Sequence, residues 1–256
     1  MQTEWRFQQS GLYRYARQLP LPGWGPETQS RLRCASVFLA GLGGLGSAAV
    51  LYLAAAGVGR IVICDGDLVE ESNLNRQILY TAEDIGRPKA EAARERLQRL
   101  NPEIEVVCFP ELLARESIPS LIGRPNAVLD CVDGFAAKFL LNEYCVASGI
   151  PLVHGAVEGL SGQVAFIMPG ETPCLRCFFC DESQDREPPP VLGPVAGLIG
   201  SLMAFETLKY LAGYGDPNRG KLLVFRGSDA TLHVLAVKRI PDCPVCGGKG
   251  GWRHVR

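Results

Sequence analysis

Two groups of residues in this sequence have the types and spacing to do chemistry. The first is rich in glycine. Gly41-Leu42-Gly43-Gly44-Leu45-Gly46 matches a spacing that lets backbone approach a phosphate, with the next helix supplying N–H donors and partial positive charge. Asp65 lies 22 residues beyond Gly43, where a carboxylate can accept from ribose hydroxyls. Asp67, Ser72-Asn73-Leu74-Asn75-Arg76-Gln77 and Gly86-Arg87-Pro88-Lys89 follow. Arg76 and Lys89, with Arg17 from the opening segment, could surround a triphosphate. A dinucleotide enzyme holds one pyrophosphate and seldom needs several cations aimed at it. Taken singly, Arg76 and Lys89 also fit a solvated helix face and Arg17 a surface ion pair, and sheet geometry alone leaves a dinucleotide and ATP both open.

The second group is sulfur. Cys174-Leu175-Arg176-Cys177 and Cys243-Pro244-Val245-Cys246 are two CxxC pairs separated by 65 residues. Four thiolates suit tetrahedral zinc, and Pro244 and Gly247-Gly248 resemble the turns of zinc knuckles. A thioredoxin-type dithiol would use one pair after a strand, not two in distant loops. A four-cysteine zinc site keeps no open coordination position, so this one would tie down the C-terminal region rather than catalyse. Cys34, Cys64, Cys108, Cys131 and Cys145 lie singly among apolar residues and read as core packing. Cys180 sits beside the first pair.

These groups need elements to position them. Ser36-Val37-Phe38-Leu39-Ala40 reads as a buried strand, the glycine turn follows, and a helix runs from about 47 to 56, closed by Gly57 and Gly59. Residues 60–65 form a second buried strand, completing a βαβ unit. Residues 88–100 have helical spacing, 105–109 and 127–133 read as strands, 136–148 as a helix and 151–153 as a strand. Further strands are expected at 163–168 and 222–225, with an antiparallel one at 231–237. An amphipathic opening helix is expected over 13–21, a short helix over 27–33, and a helix beginning near Gly197. The expected fold is α/β: a Rossmann-like mixed β-sheet flanked by helices, with a four-cysteine zinc site tying down the C-terminal region. One domain covers 1–256, with an N-terminal helical arm at 1–35, a nucleotide-binding core at 36–170, and a zinc-clamped region at 171–256. That last region carries a mobile loop at 181–193, acidic and proline-rich over 181–190.

Composition limits the function class. In 256 residues, 26 Lys+Arg oppose 27 Asp+Glu, which argues against a polybasic nucleic-acid or membrane-surface protein. Apolar residues at 47% and charged residues at 21% fit a globular chain. The start Met1-Gln2-Thr3-Glu4-Trp5-Arg6 lacks a signal-peptide layout. The apolar stretch 195–211 contains Glu206 and Lys209, so it reads as a core helix rather than a membrane span. A cytoplasmic protein with reduced cysteines is expected. Only 3 histidines occur, His154, His233 and His254, with no evident Ser-His or Cys-His pairing. His154 reads as a satisfied core residue.

Taken in order, Tyr15-Ala16-Arg17-Gln18, the 41–46 turn, Asp65-Gly66-Asp67, 72–77, 86–89, Asp130-Cys131-Val132-Asp133 and the two CxxC pairs resemble the ThiF/MoeB/HesA family. These are prokaryotic relatives of ubiquitin-activating enzymes, and the resemblance runs from Tyr13 to Gly247. It implies ATP-dependent adenylation of the C-terminal glycine carboxylate of a small ubiquitin-like sulfur carrier ending in Gly-Gly, for thiamine or molybdopterin synthesis. It also implies that Gly41, Gly43 and Gly46 pass close to the nucleotide and that Asp65 binds the ribose. Asn73, Arg76 and Lys89 would contact phosphates, with Asp67 and Gln77 in the same binding set, and Asp133 would hold Mg²⁺. Arg17 corresponds to an arginine sent into the neighbouring subunit's site, which implies a homodimer. ATP, Mg²⁺ and Zn²⁺ are the implied cofactors.

Two departures bear on mechanism. Gly134 stands where the family commonly has Asn, and no cysteine lies between Cys180 and Cys243, Arg186 or its neighbours falling where one is often found. Adenylation without an obligatory enzyme-bound thioester or persulfide is therefore expected, with Cys180 a displaced nucleophile or a spare thiol. The competing readings are an NAD-dependent oxidoreductase, a non-catalytic carrier-binding scaffold, and adenylation of a peptide's C-terminal residue.

Overall fold

A run apolar at every position, such as Val37-Phe38-Leu39-Ala40, can be buried on both faces only inside a sheet covered by helices. That is its position in the computed structural model, which describes residues 11–179 and 189–247. The elements are α1 (Pro26–Cys34), β1 (Ser36–Ala40), α2 (Gly44–Ala56), β2 (Arg60–Cys64), α3 (Lys89–Leu100), β3 (Glu105–Phe109), α4 (Ile118–Ile122) and β4 (Ala127–Asp130). They continue as α5 (Phe135–Ser148), β5 (Leu152–Glu158), β6 (Ser161–Ile167), α6 (Leu175–Phe178), α7 (Gly193–Ala212), β7 (Lys221–Arg226) and β8 (Thr231–Ala236).

All 8 strands join one sheet in the order β3-β2-β1-β4-β5-β6-β7-β8. The first five are parallel and the remaining pairings antiparallel. Strand order reverses between β1 and β4, so the crevice beyond their carboxyl ends is the topological switch point where such sheets bind ligands. Helices α2, α3 and α7 cover one face, through Leu53, Leu97, Ile199 and Met203. On the other face lie α4, α5 and α6, with the cysteines of both CxxC pairs in the same apolar layer. Helix α7 is long and apolar enough to cross a membrane by composition alone, with half of its apolar window buried. It lies against α2, where a Cβ at Gly200 would come within 2.3 Å of the Leu45 carbonyl. Its buried Glu206 accepts from Lys209 and from the backbone and side chain of Asn218. It is a core helix.

Several boundaries differ from the sequence reading. Over 13–21 only a 3₁₀ turn forms, at Tyr13–Tyr15. Pro20, Pro22 and Gly23 interrupt a helix there, and the segment is held by tertiary bonds instead. Gln18 Nε2 donates to the Ala56 carbonyl, and Asn101 Nδ2 to the Tyr15 hydroxyl. Strand β4 ends at Asp130, leaving Asp133 in a loop. Helix α2 begins three residues earlier than expected, inside the glycine turn, and α7 begins at Gly193 with Pro194 in its first turn. Strand β8 is antiparallel as expected, but it is the exposed edge of the sheet. Of the expected mobile loop, residues 181–188 lie outside the described residues. Gly159 and Val191 form a bridge, and Gly193 opens α7.

Candidate nucleotide site and cysteine cluster

Each glycine of the turn has its own steric reason. Gly41 has φ +85°, and a Cβ there would lie 2.7 Å from the Cys131 carbonyl oxygen, so only glycine fits. A Cβ at Gly46 would fall 2.0 Å from the Gly41 oxygen, which lets α2 start directly on the end of β1. Gly43 is different. A Cβ there would meet only Gln77 Nε2, at 3.8 Å, so space stands open in front of it. Helix α2 carries no side-chain cap and no acidic residue in its first turn. Its first N–H groups are therefore left without a side-chain acceptor.

The turn is braced from behind. Leu42 N donates to Asp65 Oδ2 at 2.6 Å, and Asp67 N to Asp65 Oδ1 at 2.9 Å. The Tyr80 hydroxyl and Ser47 Oγ both donate to the Leu42 carbonyl. Burial pushes the Asp65 carboxyl up, against the pull of those two N–H bonds and of Lys89. Each Asp65 oxygen keeps a second lone pair for a ribose hydroxyl.

Around the turn the expected polar residues converge, though several are tied to each other. Lys89 Nζ pairs with Asp67 Oδ2 at 2.8 Å. Arg76 folds over its own loop, donating from Nη1 to the Ser72 carbonyl at 2.8 Å and to Asn75 Oδ1 at 3.2 Å. Its Cγ lies 3.5 Å from a Cβ built on Gly44. Buried Asn73 accepts from Glu70 N and completes a reciprocal cap of the 3₁₀ turn Glu71–Asn73. Gln77 is buried and its Oε1 has no hydrogen-bond partner among the described residues. That oxygen can only accept, so a nucleotide hydroxyl or amino group could complete it and a phosphate could not, whereas Nε2 is the Gln77 atom nearest Gly43.

Asp133 is exposed in the loop between β4 and α5, without a hydrogen bond or ion pair to a described residue. Asp133 follows Cys131 and Val132, whose backbone packs at Gly41, and a carboxylate within reach of phosphate oxygens would suit Mg²⁺, commonly held by one or two carboxylates plus phosphate oxygens. Gly134 caps α5 with no side-chain bond. Arg17 is not brought to this site within the chain. It is exposed, and its neighbours Tyr15 and Gln18 pack at Gly57 and Ala56. That is the far end of α2, about 20 Å of helix from the glycine turn. A cavity of about 200 Å³ lined by Tyr15, Gln29, Arg33 and Glu103 lies at that same far end, away from the chemistry.

Sequence reasoning missed one group. Asp130 closes β4 and is fully buried, yet Lys138 Nζ lies 3.3 Å from its Oδ1 and His154 Nδ1 is 2.7 Å from its Oδ2. Lys138 also donates to the Gly155 carbonyl at 3.0 Å. Burial alone would raise the Asp130 carboxyl, but Lys138 and His154 outweigh it and hold it below the usual range. His154 is a buried core residue as expected, but only half satisfied: its Nε2 has no partner among the described residues. The apolar signature of β4 and β5 gives no sign of this pairing, because their register, Asp130 opposite His154, is set by the sheet.

The two CxxC pairs meet. Cys174 and Cys243 sulfurs are 3.6 Å apart, Cys177 and Cys246 sulfurs 3.5 Å apart, and all four lie within 4.8 Å of one another. A tetrahedron with Zn–S bonds of about 2.3 Å has sulfurs about 3.8 Å apart, so the donor set fits. Burial raises the Cys174 thiol. At Cys243 burial also pushes upward, but N–H bonds from Cys246 and Val245 bring the thiol down to about 7, favouring the thiolate that a metal needs. Of the five single cysteines, Cys64, Cys131 and Cys145 are buried as expected. Cys108 is half-buried, and Cys34 is exposed because it ends α1 on its outer side. Cys180 and Arg186 lie outside the described residues.

Comparison with known proteins agrees over nearly the whole length. Residues 15–245 match the ThiF family. The chain is 44% identical to the sulfur carrier protein adenylyltransferase of Thermus thermophilus, covering 98% of this chain and 96% of that protein. It is 41% identical to the sulfur carrier protein ThiS adenylyltransferase of Escherichia coli, with coverages of 92% and 95%. Among solved structures, E. coli MccB with AMPCPP and MccA is similar at a TM-score of 0.83 and 25% identity, over 93% of this chain and 74% of that one.

Proposed function

The chain belongs to the ThiF family, and from that premise we propose an ATP-dependent adenylyltransferase that activates the C-terminal glycine carboxylate of a small ubiquitin-like sulfur carrier. The names of its relatives support this directly. The observation that carries it is the open face of Gly43, bordered by the uncapped end of α2 and the Gln77 Nε2 donor, with the Lys89 ammonium held at Asp67.

Adenylation joins a carboxylate oxygen to the α-phosphorus of ATP and releases pyrophosphate. The attacking carboxylate is already ionised, so no general base is needed, in keeping with a site that has no histidine at the turn. The work is to align two anions and disperse charge on the phosphates. In this reading the backbone at Gly41, Gly43 and Gly46 lets the nucleotide approach, and Asp65 accepts from the ribose through its free lone pairs. Asn73, Arg76 and Lys89 bind phosphates, with Asp67 and Gln77 orienting them. Asp133 holds Mg²⁺, which when bound neutralises phosphate charge. Arg17 acts from the second subunit of a homodimer, since its own turn is a helix length away. Cys174, Cys177, Cys243 and Cys246 hold a structural zinc, and the enzyme works in the cytoplasm. The product is the carrier's acyl-adenylate, formed without an obligatory covalent adduct on this chain.

The test is ATP–pyrophosphate exchange with carriers ending in Gly-Gly, of the thiamine and molybdopterin types in separate arms. Carrier-dependent exchange supports the reading, and the preferred arm identifies the carrier. Tight NAD binding without exchange would establish the oxidoreductase instead. Carrier binding without ATP consumption would establish a scaffold that does not turn over.

A further inference from the structure

The nucleotide reading leaves unused the buried trio of Asp130, Lys138 and His154. We propose that Lys138 and His154 are positioning residues: gripping Asp130 from two sides, they fix the loop 131–134, and with it Asp133, against the phosphate turn. This rests on the adenylation reading and deepens it.

The geometry brackets the loop at its base. The Lys138–Asp130 bond spans 8 residues, leaving from the last residue of β4 and returning one turn into α5. Between those anchors lies only the loop and the first residues of the helix. Lys138 also ties the bracket to β5 at the Gly155 carbonyl, and His154 does so from its own place in β5. The bracketed loop touches the turn directly. The Cys131 oxygen and Val132 nitrogen lie 2.7 and 2.9 Å from the position a Gly41 Cβ would take. A shift of this loop is therefore a shift of Asp133 relative to the glycine that opens the phosphate site.

Energetics point the same way. A buried ion pair is often no more stabilising than apolar residues of the same shape, and His154 leaves a ring nitrogen unpartnered, which costs free energy. Val128, Leu152 and Phe139 pack in the same layer, so apolar side chains would suit the space. What the polar trio adds is a fixed location for Asp130, and so for the loop that leaves it.

The deciding variant is Asp130→Asn with Lys138→Met, which removes both charges, keeps the side-chain shapes, and strands no buried ion. Three quantities are read: the thermal midpoint, amide hydrogen exchange of 131–134, and calorimetric affinity for an ATP analogue that cannot be cleaved. We expect a midpoint near that of the unmodified protein, loop exchange faster by about tenfold and analogue affinity weaker by about tenfold. Each tenfold change corresponds to about 1.4 kcal/mol in the equilibrium concerned. In pyrophosphate exchange the KM for ATP rises by the same factor while kcat stays within about threefold, and Lys138→Arg keeps the unmodified KM. Unchanged loop exchange and affinity in the double variant would overturn the proposal, as would a Lys138→Arg variant no better than Lys138→Met. An unmodified protein that fails to exchange pyrophosphate at all sinks the adenylation reading, and this one with it.

Discussion

Lys89 Nζ sits 2.8 Å from the Asp67 carboxylate, with the lysine side chain only 6% exposed and the aspartate 62% exposed. The ammonium is thus held in a buried position by a partner that solvent already reaches, so a phosphate can take over part of that pairing without moving the lysine. The backbone supports the arrangement, because Lys89 N also donates to the Asp67 carbonyl at 2.9 Å. Removing one preorganised donor of this kind lowers rates by about 10²–10³. Lys89→Met should reduce carrier-dependent pyrophosphate exchange by that factor with the fold intact by circular dichroism. A loss of less than about threefold would remove Lys89 from the machinery.

Gly41 and Gly43 should separate stability from ligand binding. At Gly41, alanine meets the Cys131 oxygen at 2.7 Å and must adopt φ +85°, a strain of about 1–3 kcal/mol. At Gly43 the new methyl has only the Gln77 amide at 3.8 Å. Gly41→Ala should lower the urea midpoint and weaken ATP binding together. Gly43→Ala should leave the midpoint unchanged and weaken ATP binding alone. Equal effects of the two on the midpoint would contradict the open face assigned to Gly43.

The cysteine cluster predicts one zinc per chain by plasma emission spectrometry. Cys243→Ala should lose it, because the remaining three thiols are one ligand short of a closed tetrahedral site. The C-terminal residues then lose their anchor to α6 and to the apolar layer around Phe139 and Ile167. A stability loss of about 2 kcal/mol corresponds to roughly 4–8 °C for a chain of this size. Metal-free protein with an unchanged melting temperature would show that the four sulfurs pack without a metal.

Much of this arrangement is legible in the sequence, and the part that is not has a common cause. The strands β1 to β4, the glycine turn and the CxxC pairs are local patterns, each carried by a few adjacent residues. Lys89 is visible as a cation, but its Asp67 partner is brought to it by the isolated bridge between Leu68 and Pro88. The trio at Asp130 depends on sheet register and on one helical turn of α5, neither of which leaves a periodic trace. The opening segment misleads for the opposite reason: its spacing is amphipathic, but Pro20 and Pro22 and its tertiary bonds to Ala56 and Asn101 decide its shape. Cys34 reads as core from its apolar neighbours, yet the turn of α1 carries it outward.

His154 makes stability depend on pH with a definite sign. Burial lowers its pKa below the ordinary value, Lys138 adds to that, and the Asp130 bond only partly offsets them. A histidine with a lowered folded pKa binds fewer protons folded than unfolded. Stability is therefore present above about pH 6.5 and is lost as pH falls below it, by up to about 1.4 kcal/mol per pH unit until the folded pKa is reached. Denaturant unfolding at about pH 7.5, 6.5 and 5.5, spanning the ordinary histidine value, should show this decline. In His154→Gln, which can still donate to Asp130, the slope over the lower half of that range should flatten. An identical slope would assign the dependence to other groups.

Arg17 gives the sharpest test of a shared site, because the chain holds it at the wrong end of its own α2. Gln18 Nε2 bonds the Ala56 carbonyl at 3.1 Å, while the glycine turn lies at Gly44, about 20 Å of helix away. If Arg17 serves the phosphates at all, it serves those of a second copy. Arg17→Ala alone should abolish exchange with the dimer still present by light scattering. Mixing that variant with Lys89→Met then separates the geometries. In a mixed dimer, one site receives an intact Lys89 from its own chain and an intact Arg17 from the other, and the second site has lost both. Random exchange of subunits makes about half the dimers mixed, so about a quarter of full activity should return to two inactive preparations, as the pairing of sites in a closed dimer requires. If Arg17 acted within its own chain, every site in every dimer would still lack one residue, and no activity would return.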